Sequence, residues 1–446
     1  MSASLEDLLR DAKVDLVVAR FEKDPSVIKE LTTHLNSEIR SIRFNATLAL
    51  GELGANSTKA VSELVTCLED EDWSICREAA RSLGKIGESA VDAIPGLAKL
   101  LKDDEMSIRK AAAVSLGQIG VTTDEVLTGL VTALKDKSEE IRSEAAKTLG
   151  KLGPNAHSII PNLIECLRDI DWTVRTAAAQ AIKEIGERSV EAIPTLVGTL
   201  EDNDWRVRYR SIQTLAQIGE PAIPALLESV DHEDYVARKG AIEALGEMKT
   251  TDPKVIASIA ARLKDGVEGV RGKAADALRN IGKDAIPALV ESYAMANNKM
   301  KVQIISAIGG MGMDGQDALS FLLEALADGP NQVRAEAARS LGRMCIAQED
   351  VVSALMGSLH DAKAEVRRES ALSLGKLGQN ASAATKALIE ALGDDKPDVR
   401  WRASEALGQI QAGTSERFPA LEALLHDEFD HVSEAAQEAL DLIGGE

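Results

Sequence analysis

With 446 residues and a net charge of −21, the chain carries 72 acidic against 51 basic side chains. That balance argues against a general nucleic-acid or anionic-membrane binder, since either favours an excess of Lys and Arg. No apolar run reaches the roughly 18 residues of a membrane span, and the opening MSASLEDLLRDAKVDLVV has acidic residues where a secretory signal has basic ones. The expected location is the cytoplasm. The cysteines Cys67, Cys76, Cys166 and Cys345 form no CxxC pair, which suits a reducing compartment.

In chain order, Leu5, Leu8, Leu9, Ala12, Leu16 and Val17 at helical spacing predict a lone capping helix within residues 1–21. A unit of two helices then recurs. Its key position is held in turn by Arg43, Cys76, Arg109, Arg142, Arg175, Arg208, Arg238, Arg271, Lys301, Arg334, Arg367, Arg400 and Ser433. The thirteen units are spaced by 33 residues ten times and by 30 twice. Such a period marks a stacked array, in which each unit contacts only its neighbours. The first helix of a unit is exemplified by AIPGLAKLLKD at 93–103, with an apolar stripe of Ile94, Leu97, Leu100 and Leu101. The second is exemplified by DDEMSIRKAAAVSLGQIG at 103–120. Its start is marked by an N-cap four residues before the key position at Asp72, Ser138, Asp171, Asp204, Asp234 and Asn297. Its stop is the LGxIG ending, whose glycines permit a left-handed turn. Ala111, Ala112 and Ala113 allow close packing between helices.

The pattern D-x5-[VI]-R-x2-A-A-x-[SAT]-L-G-x-[IL]-G resembles the HEAT repeat, in particular the short prokaryotic HEAT-like form shared with phycobilisome-lyase subunits, over residues 22–443. The resemblance implies an all-α, right-handed α-solenoid with first helices outside and second helices lining the concave surface. Short loops at Gly219–Ile223 and Gly282–Ile286 account for the 30-residue steps. The centre departs from the pattern: Lys183 and Arg279 replace a glycine of the ending, Met295 replaces the Asp, and Gly266, Gly269 and Gly272 crowd one helix start. Three segments are expected, regular at 22–218, irregular at 219–315 with a candidate bend, and regular at 316–446.

An Asp lies six residues before the key Arg in Asp103/Arg109, Asp136/Arg142, Asp169/Arg175, Asp202/Arg208, Asp265/Arg271, Asp328/Arg334, Asp361/Arg367 and Asp394/Arg400. A catalytic constellation occurs once and a structural ladder recurs, so these are read as structural. HEAT repeats use such pairs to tie one turn to the next, Asp satisfying turn amides and Arg holding Asp. Cys76, Lys301 and Ser433 break that ladder. The histidines His34, His157, His232, His360, His426 and His431 match no metal spacing. His232-Glu233 is a single pair, where the HEAT-repeat enzyme deoxyhypusine hydroxylase uses several. GMGMDG at 310–315 fits G-x-G-x-x-G, but a helix rather than a strand precedes it, so it reads as an inter-helix turn.

The scarce aromatics carry the functional signal. With the key position as zero, helical periodicity sends −1, +3, +4 and +7 inward and leaves −3, −2, +1, +2 and +5 exposed. Trp73, Trp172, Trp205 and Tyr235 fall at −3, and Phe44, Tyr209 and Trp401 at +1. Trp172, Trp205, Tyr209 and Tyr235, flanked by Arg206, Arg210 and Lys239, come from three successive units and are the candidate partner-binding cluster. Trp73 and Trp401 are further candidates. Basic and acidic residues nearly balance at +1, +2 and +5, which puts the acidic excess on the outer face. The reading is a non-enzymatic scaffold that binds a protein or peptide in the concave groove, needs no cofactor, and is monomeric by preference. The alternative, implied by the family resemblance, is a lyase or chaperone-like subunit handling a tetrapyrrole or other cofactor, with Cys76 the one cysteine on the second-helix register. A third reading is an oligomeric element that self-associates through its terminal repeats.

Overall fold

The computed structural model describes residues 4–153, 158–186, 189–410 and 417–444. Helices joined by turns and short irregular links make up the described residues, and no strand occurs among them. No helix there is long and apolar enough to cross a membrane. The chain divides into two compact units, Met1–Ala225 and Leu226–Glu446.

The first unit begins with two short helices, Leu5–Arg10 and Val14–Phe21, in place of the lone capping helix expected from the leucine spacing. Ala12, with φ of 56°, breaks the helix between them. The break shifts the apolar phase, so Val14 and Val17 are buried while Leu16 stays exposed. The buried amide of Asn45 ties this end to the first repeat by donating to the Leu9 carbonyl at 2.8 Å. The second helices then follow at Arg40–Leu53, Trp73–Ile86, Met106–Ile119, Glu139–Lys151, Trp172–Ile185 and Trp205–Ile218. Each packs laterally on the next, with a shorter first helix such as Ile94–Leu100 or Asp124–Ala133 beside it. Leu50, Leu64, Leu83, Leu97, Leu116 and Leu130 are wholly buried in the core that results.

The second unit repeats the plan with second helices Tyr235–Met248, Glu268–Ile281, Asn298–Gly309, Asn331–Met344, Ala364–Leu377, Pro397–Ile410 and Asp430–Gly444. Three-residue 3-10 turns, Glu220–Ala222 in the first unit and Lys283–Ala285 in the second, shorten the two 30-residue steps. Seven-residue turns such as Gly87–Ala93 serve 33-residue steps. GMGMDG enters a turn of this kind, Gly312–Ala318, between two helices.

Helix starts follow the sequence at Asp72, Asp171, Asp204, Asp234 and Asn297, each of which accepts a backbone N–H of the first turn. Ser138 does not, because its hydroxyl turns to the Met106 sulfur at 3.5 Å. Helix ends use the expected glycines in two ways. Gly120 is left-handed (φ 73°, ψ 7°), whereas Gly87 has φ 78° with ψ −146°, a region open only to glycine.

The ladder differs in register from its sequence reading. Asp103 and Arg109 do not form an ion pair, and neither do the other pairs six residues apart. The carboxylates of Asp136, Asp169, Asp202, Asp265, Asp361 and Asp394 instead meet the Arg 27 residues before them, whereas Asp103 and Asp328, with Cys76 and Lys301 at that distance, do not. In the first unit the rungs are Arg43–Asp70, Arg109–Asp136, Arg142–Asp169 and Arg175–Asp202, at 3.0, 2.7, 2.7 and 2.6 Å. In the second they are Arg238–Asp265, Arg334–Asp361, Arg367–Asp394 and Arg400–Asp427, at 2.9, 2.7, 2.6 and 2.7 Å. The Arg six residues after an Asp takes that Asp's backbone carbonyl, as Arg142 does at Asp136 and Arg175 at Asp169. The same Asp accepts the amide two residues on, as Asp136 does from Ser138 at 2.8 Å. Each rung therefore closes a turn and joins it to the preceding repeat. Arg208 and Arg271 keep only the carbonyl bonds, and Asp328 makes no rung among the described residues.

A second ladder, not anticipated from the sequence, runs beside the first. The small polar residue six positions after the key position donates its hydroxyl to the carbonyl 35 residues earlier in six of the repeats. Ser82, Ser115, Thr148 and Thr214 do so in the first unit at 2.7–3.1 Å. Ser340 and Ser373 do so in the second at 3.1 and 2.8 Å. The close approach this needs explains the first glycine of LGxIG: a Cβ on Gly342 would lie 2.8 Å from the Ser373 Cα.

Candidate functional site

Burial along the second helices corrects one assumption about their faces. The +2 position, expected to be exposed, is buried at Glu78, Ala111, Ala177, Glu336 and Glu369. Lateral packing of one second helix on the next covers it, so it belongs to the seam rather than to the open face. Glu369 shows how the seam tolerates charge. Burial disfavours its ionisation, but Arg339 (2.9 Å) and Arg368 (2.8 Å) bond it and hold its carboxyl below the usual range. The −3 position is mostly open, whereas +1 is mostly half-buried and is covered at Ser143 and Ala335; Tyr209 is one of its exposed members.

In the first unit, Trp172, Arg206, Trp205, Tyr209 and Arg210 come together across the helices Trp172–Ile185 and Trp205–Ile218. The guanidinium of Arg206 lies 3.4 Å from the ring centroid of Trp172 and 6.0 Å from that of Trp205. Asp204 fixes it there, accepting from Nε at 2.9 Å and Nη2 at 2.7 Å. That hydrogen bonding holds the Asp204 carboxyl down at about 2. Trp172 is thus half-covered, while Trp205 is 62 % and Tyr209 44 % exposed. Gln213 braces the other end: it donates to the Tyr209 hydroxyl at 2.7 Å and accepts from Arg210 at 3.1 Å and from Lys183 at 3.3 Å. The Arg210 guanidinium lies 5.8 Å from the Tyr209 ring. Two large aromatic faces are therefore displayed on a hydrogen-bonded platform with three flanking cations.

The other candidates stand in different settings. Trp73 is exposed, with the Arg77 guanidinium 4.9 Å from its ring. In the second unit Tyr235 is exposed and Lys239 half-buried. Trp401 is packed: Arg402 stacks on it at 3.6 Å, and His431 meets it edge-on at 5.6 Å.

The residues weighed for other chemistry find structural partners. Nδ1 of His232 accepts the Asp234 amide at 3.1 Å, so this His stands in for the turn-closing Asp. His157 lies outside the described residues. Among those described, no group of three or more His, Cys, Asp or Glu side chains is placed to hold a metal ion. Cys76 is buried, and its thiol donates to the Leu68 carbonyl at 3.1 Å. Burial, aided by the charges of Asp103 and Asp70, pushes it up to about 11. A protonated, covered thiol is a poor nucleophile.

The family model for HEAT repeats matches residues 61–136, 94–183, 160–246, 223–309, 319–385 and 360–441. Among solved structures, Kap121p bound to Ste12p aligns with a TM-score of 0.61 at 15 % identity, over 95 % of this chain and 53 % of that one. Kap121p bound to Nup53p gives 0.61 at 16 %, over 99 % and 53 %. Kap95p, whose binding induces the switch loops of RanGDP to adopt the GTP-bound conformation, gives 0.56 at 14 %, over 95 % and 67 %. At these identities the likeness is one of fold, and the chain spans about half the length of the Kap121p chain. No curated protein matches it in sequence.

Proposed function

We propose that this chain, which belongs to the HEAT-repeat family, is a non-enzymatic scaffold that holds a protein or peptide partner along the face its second helices present. The observation that carries the reading is the pair Trp205 and Tyr209, displayed beside cations in a chain with only twelve aromatic residues. Solvated aromatics gain nothing for the core. Trp, Tyr and Arg at the centre of an interface, by contrast, supply most of its binding energy. The bond from Gln213 fixes the Tyr209 ring in advance, which lowers the ordering cost of association. Kap121p, similar in fold, is bound to Ste12p in one structure and to Nup53p in another, and this supports a protein as the class of partner. Four unpaired cysteines support a cytoplasmic location. Burial of Cys76 weighs against chromophore attachment there.

The test is affinity capture from native lysate with wild type and with Trp205→Ala/Tyr209→Ala, after circular dichroism shows both folded. Each truncation at a hot spot costs about 2 kcal/mol or more, so the captured partner is expected to be lost from the double variant. Equal recovery of the same partner by both proteins would remove these residues from the interface.

A further inference from the structure

The rung at Cys76 is built on its acceptor side and lacks only its guanidinium. Arg109 shows what a complete rung contains. Its Nη1 donates to the carbonyls of Asp103 and Asp104, both at 2.9 Å, and Nε and Nη2 donate to the Asp136 carboxylate at 2.7 and 3.0 Å. One repeat earlier the same acceptors are the carbonyls of Asp70 and Glu71 and the carboxylate of Asp103. No donor among the described residues reaches either carbonyl. The Asp103 carboxylate accepts only the Glu105 amide, at 2.8 Å, and makes no ion pair among the described residues. Cysteine is too short to span the distance, and its thiol has turned to the Leu68 carbonyl. A groove of about 880 Å³ opens at this point, lined by Asp70, Glu71, Trp73, Cys76, Asp103 and Ile108 among others. Trp73 forms part of its wall and is 49 % exposed. Lys99, which also borders it, is held by Glu69 at 2.8 Å.

We propose that this groove receives the side chain of an arginine presented by a protein or peptide partner, with its guanidinium in the place that Arg109 occupies one repeat further on. The acceptors select for that group. Two carbonyls on one side and a carboxylate on the other match the planar fork of a guanidinium, whose donors point in fixed directions; a single ammonium cannot reach both sets in plane. The ring of Trp73 adds an aromatic surface for the stem. The chain itself supplies the precedent, since four rungs of the first unit hold a guanidinium at carboxylates placed in this way. The site is separate from the Trp205 and Tyr209 platform and stands or falls without it.

The experiment titrates N-acetylarginine amide into the ¹⁵N-labelled full chain. It follows the indole N–H of Trp73, assigned from Trp73→Phe. A saturable shift is expected with the arginine amide and none with the neutral isostere N-acetylcitrulline amide. Asp103→Asn removes the carboxylate and is expected to weaken binding about tenfold or more. Cys76→Arg supplies the guanidinium internally, and is expected to abolish the shift and raise Tm. The proposal is overturned if the wild type shows no saturable shift, if citrulline shifts the resonance as arginine does, or if Asp103→Asn binds like wild type. Should Cys76→Arg fail to fold, the citrulline and Asp103→Asn arms decide alone.

Discussion

The run from Arg109 to Asp202 and the run from Arg271 to Asp328 are made of the same helix pair but are joined differently. In the first, three consecutive rungs link each turn to the repeat before it, and Thr148 adds a hydroxyl bond across one seam. In the second, Arg271 reaches only the carbonyls of Asp265 and Gly266, at 2.7 and 3.2 Å, and Lys301 takes the key position with its ammonium 4.7 Å from the Tyr293 ring. Met295 stands where the next carboxylate would be, 79 % exposed. Arg279 replaces the close-approach glycine and leans its stem over Gly310. Both runs nevertheless fold into complete helix pairs. The helix pair is thus specified within each repeat by its apolar stripe and caps, and the rung is a separate device that sets how firmly a repeat is held to its neighbour.

That separation can be broken in order of effect. Arg142→Ala leaves the Asp169 carboxylate, 13 % exposed, without its partner, and should cost about 3 kcal/mol. Arg271→Ala removes carbonyl bonds alone and should cost about 1 kcal/mol. Local opening energies from hydrogen exchange over 139–185 and over 268–309 would compare them, and equal losses would mean that the rung contributes nothing beyond its turn. Next in size is Gly342→Ala, which drives a methyl into Ser373 and should destabilise by about 2 kcal/mol in urea unfolding. Gly272→Ala, where a Cβ meets nothing within 4 Å, should be neutral or slightly stabilising by comparison. The smallest difference is in acid. Asp136, Asp169, Asp361 and Asp394 have folded carboxyls held below their ordinary value: burial opposes ionisation at all four, most strongly at Asp136, Asp169 and Asp394, but hydrogen bonds from the paired Arg and from turn amides outweigh it. A group depressed in the folded state contributes stability that is fully present above its unfolded value, about 3.9 for Asp, and is lost as pH falls through the folded value. Below about pH 4, protection should therefore fall faster in 139–218 than in 268–309. A parallel decline in the two segments would show that the rungs are not the acid-sensitive element.

Much of the molecule was legible in the sequence because stacked repeats write the same local physics many times. The period, the two helices, the caps at Asp72 and Asp171 and the closing glycines all rest on contacts within some 33 residues of each other. The exposure of Trp205 and Tyr209 was legible for the same reason, since helical periodicity decides that they do not point to the core, whereas Phe44, Trp172 and Trp401 are half-buried. Position +2 was misplaced because its burial comes from the neighbouring repeat's helix, which a single-helix projection does not contain. The two short helices before residue 22 were missed because Ala12 breaks the helix without a glycine or proline to mark it.

What the sequence determined by itself is the repeat: its length, its helix pair, its caps and the register of its exposed aromatics, since each follows from periodicity and backbone conformation. What only the tertiary structure decided is which partner each repeated residue takes. The Asp beside Arg109 in the chain is Asp103, but the carboxylate its guanidinium meets is Asp136. The same stacking put the Arg206 guanidinium on Trp172 and left Asp103 facing Cys76 with no guanidinium between them. Spacing along one chain fixes direction and phase; the distance between charges is fixed only when one repeat lies against the next.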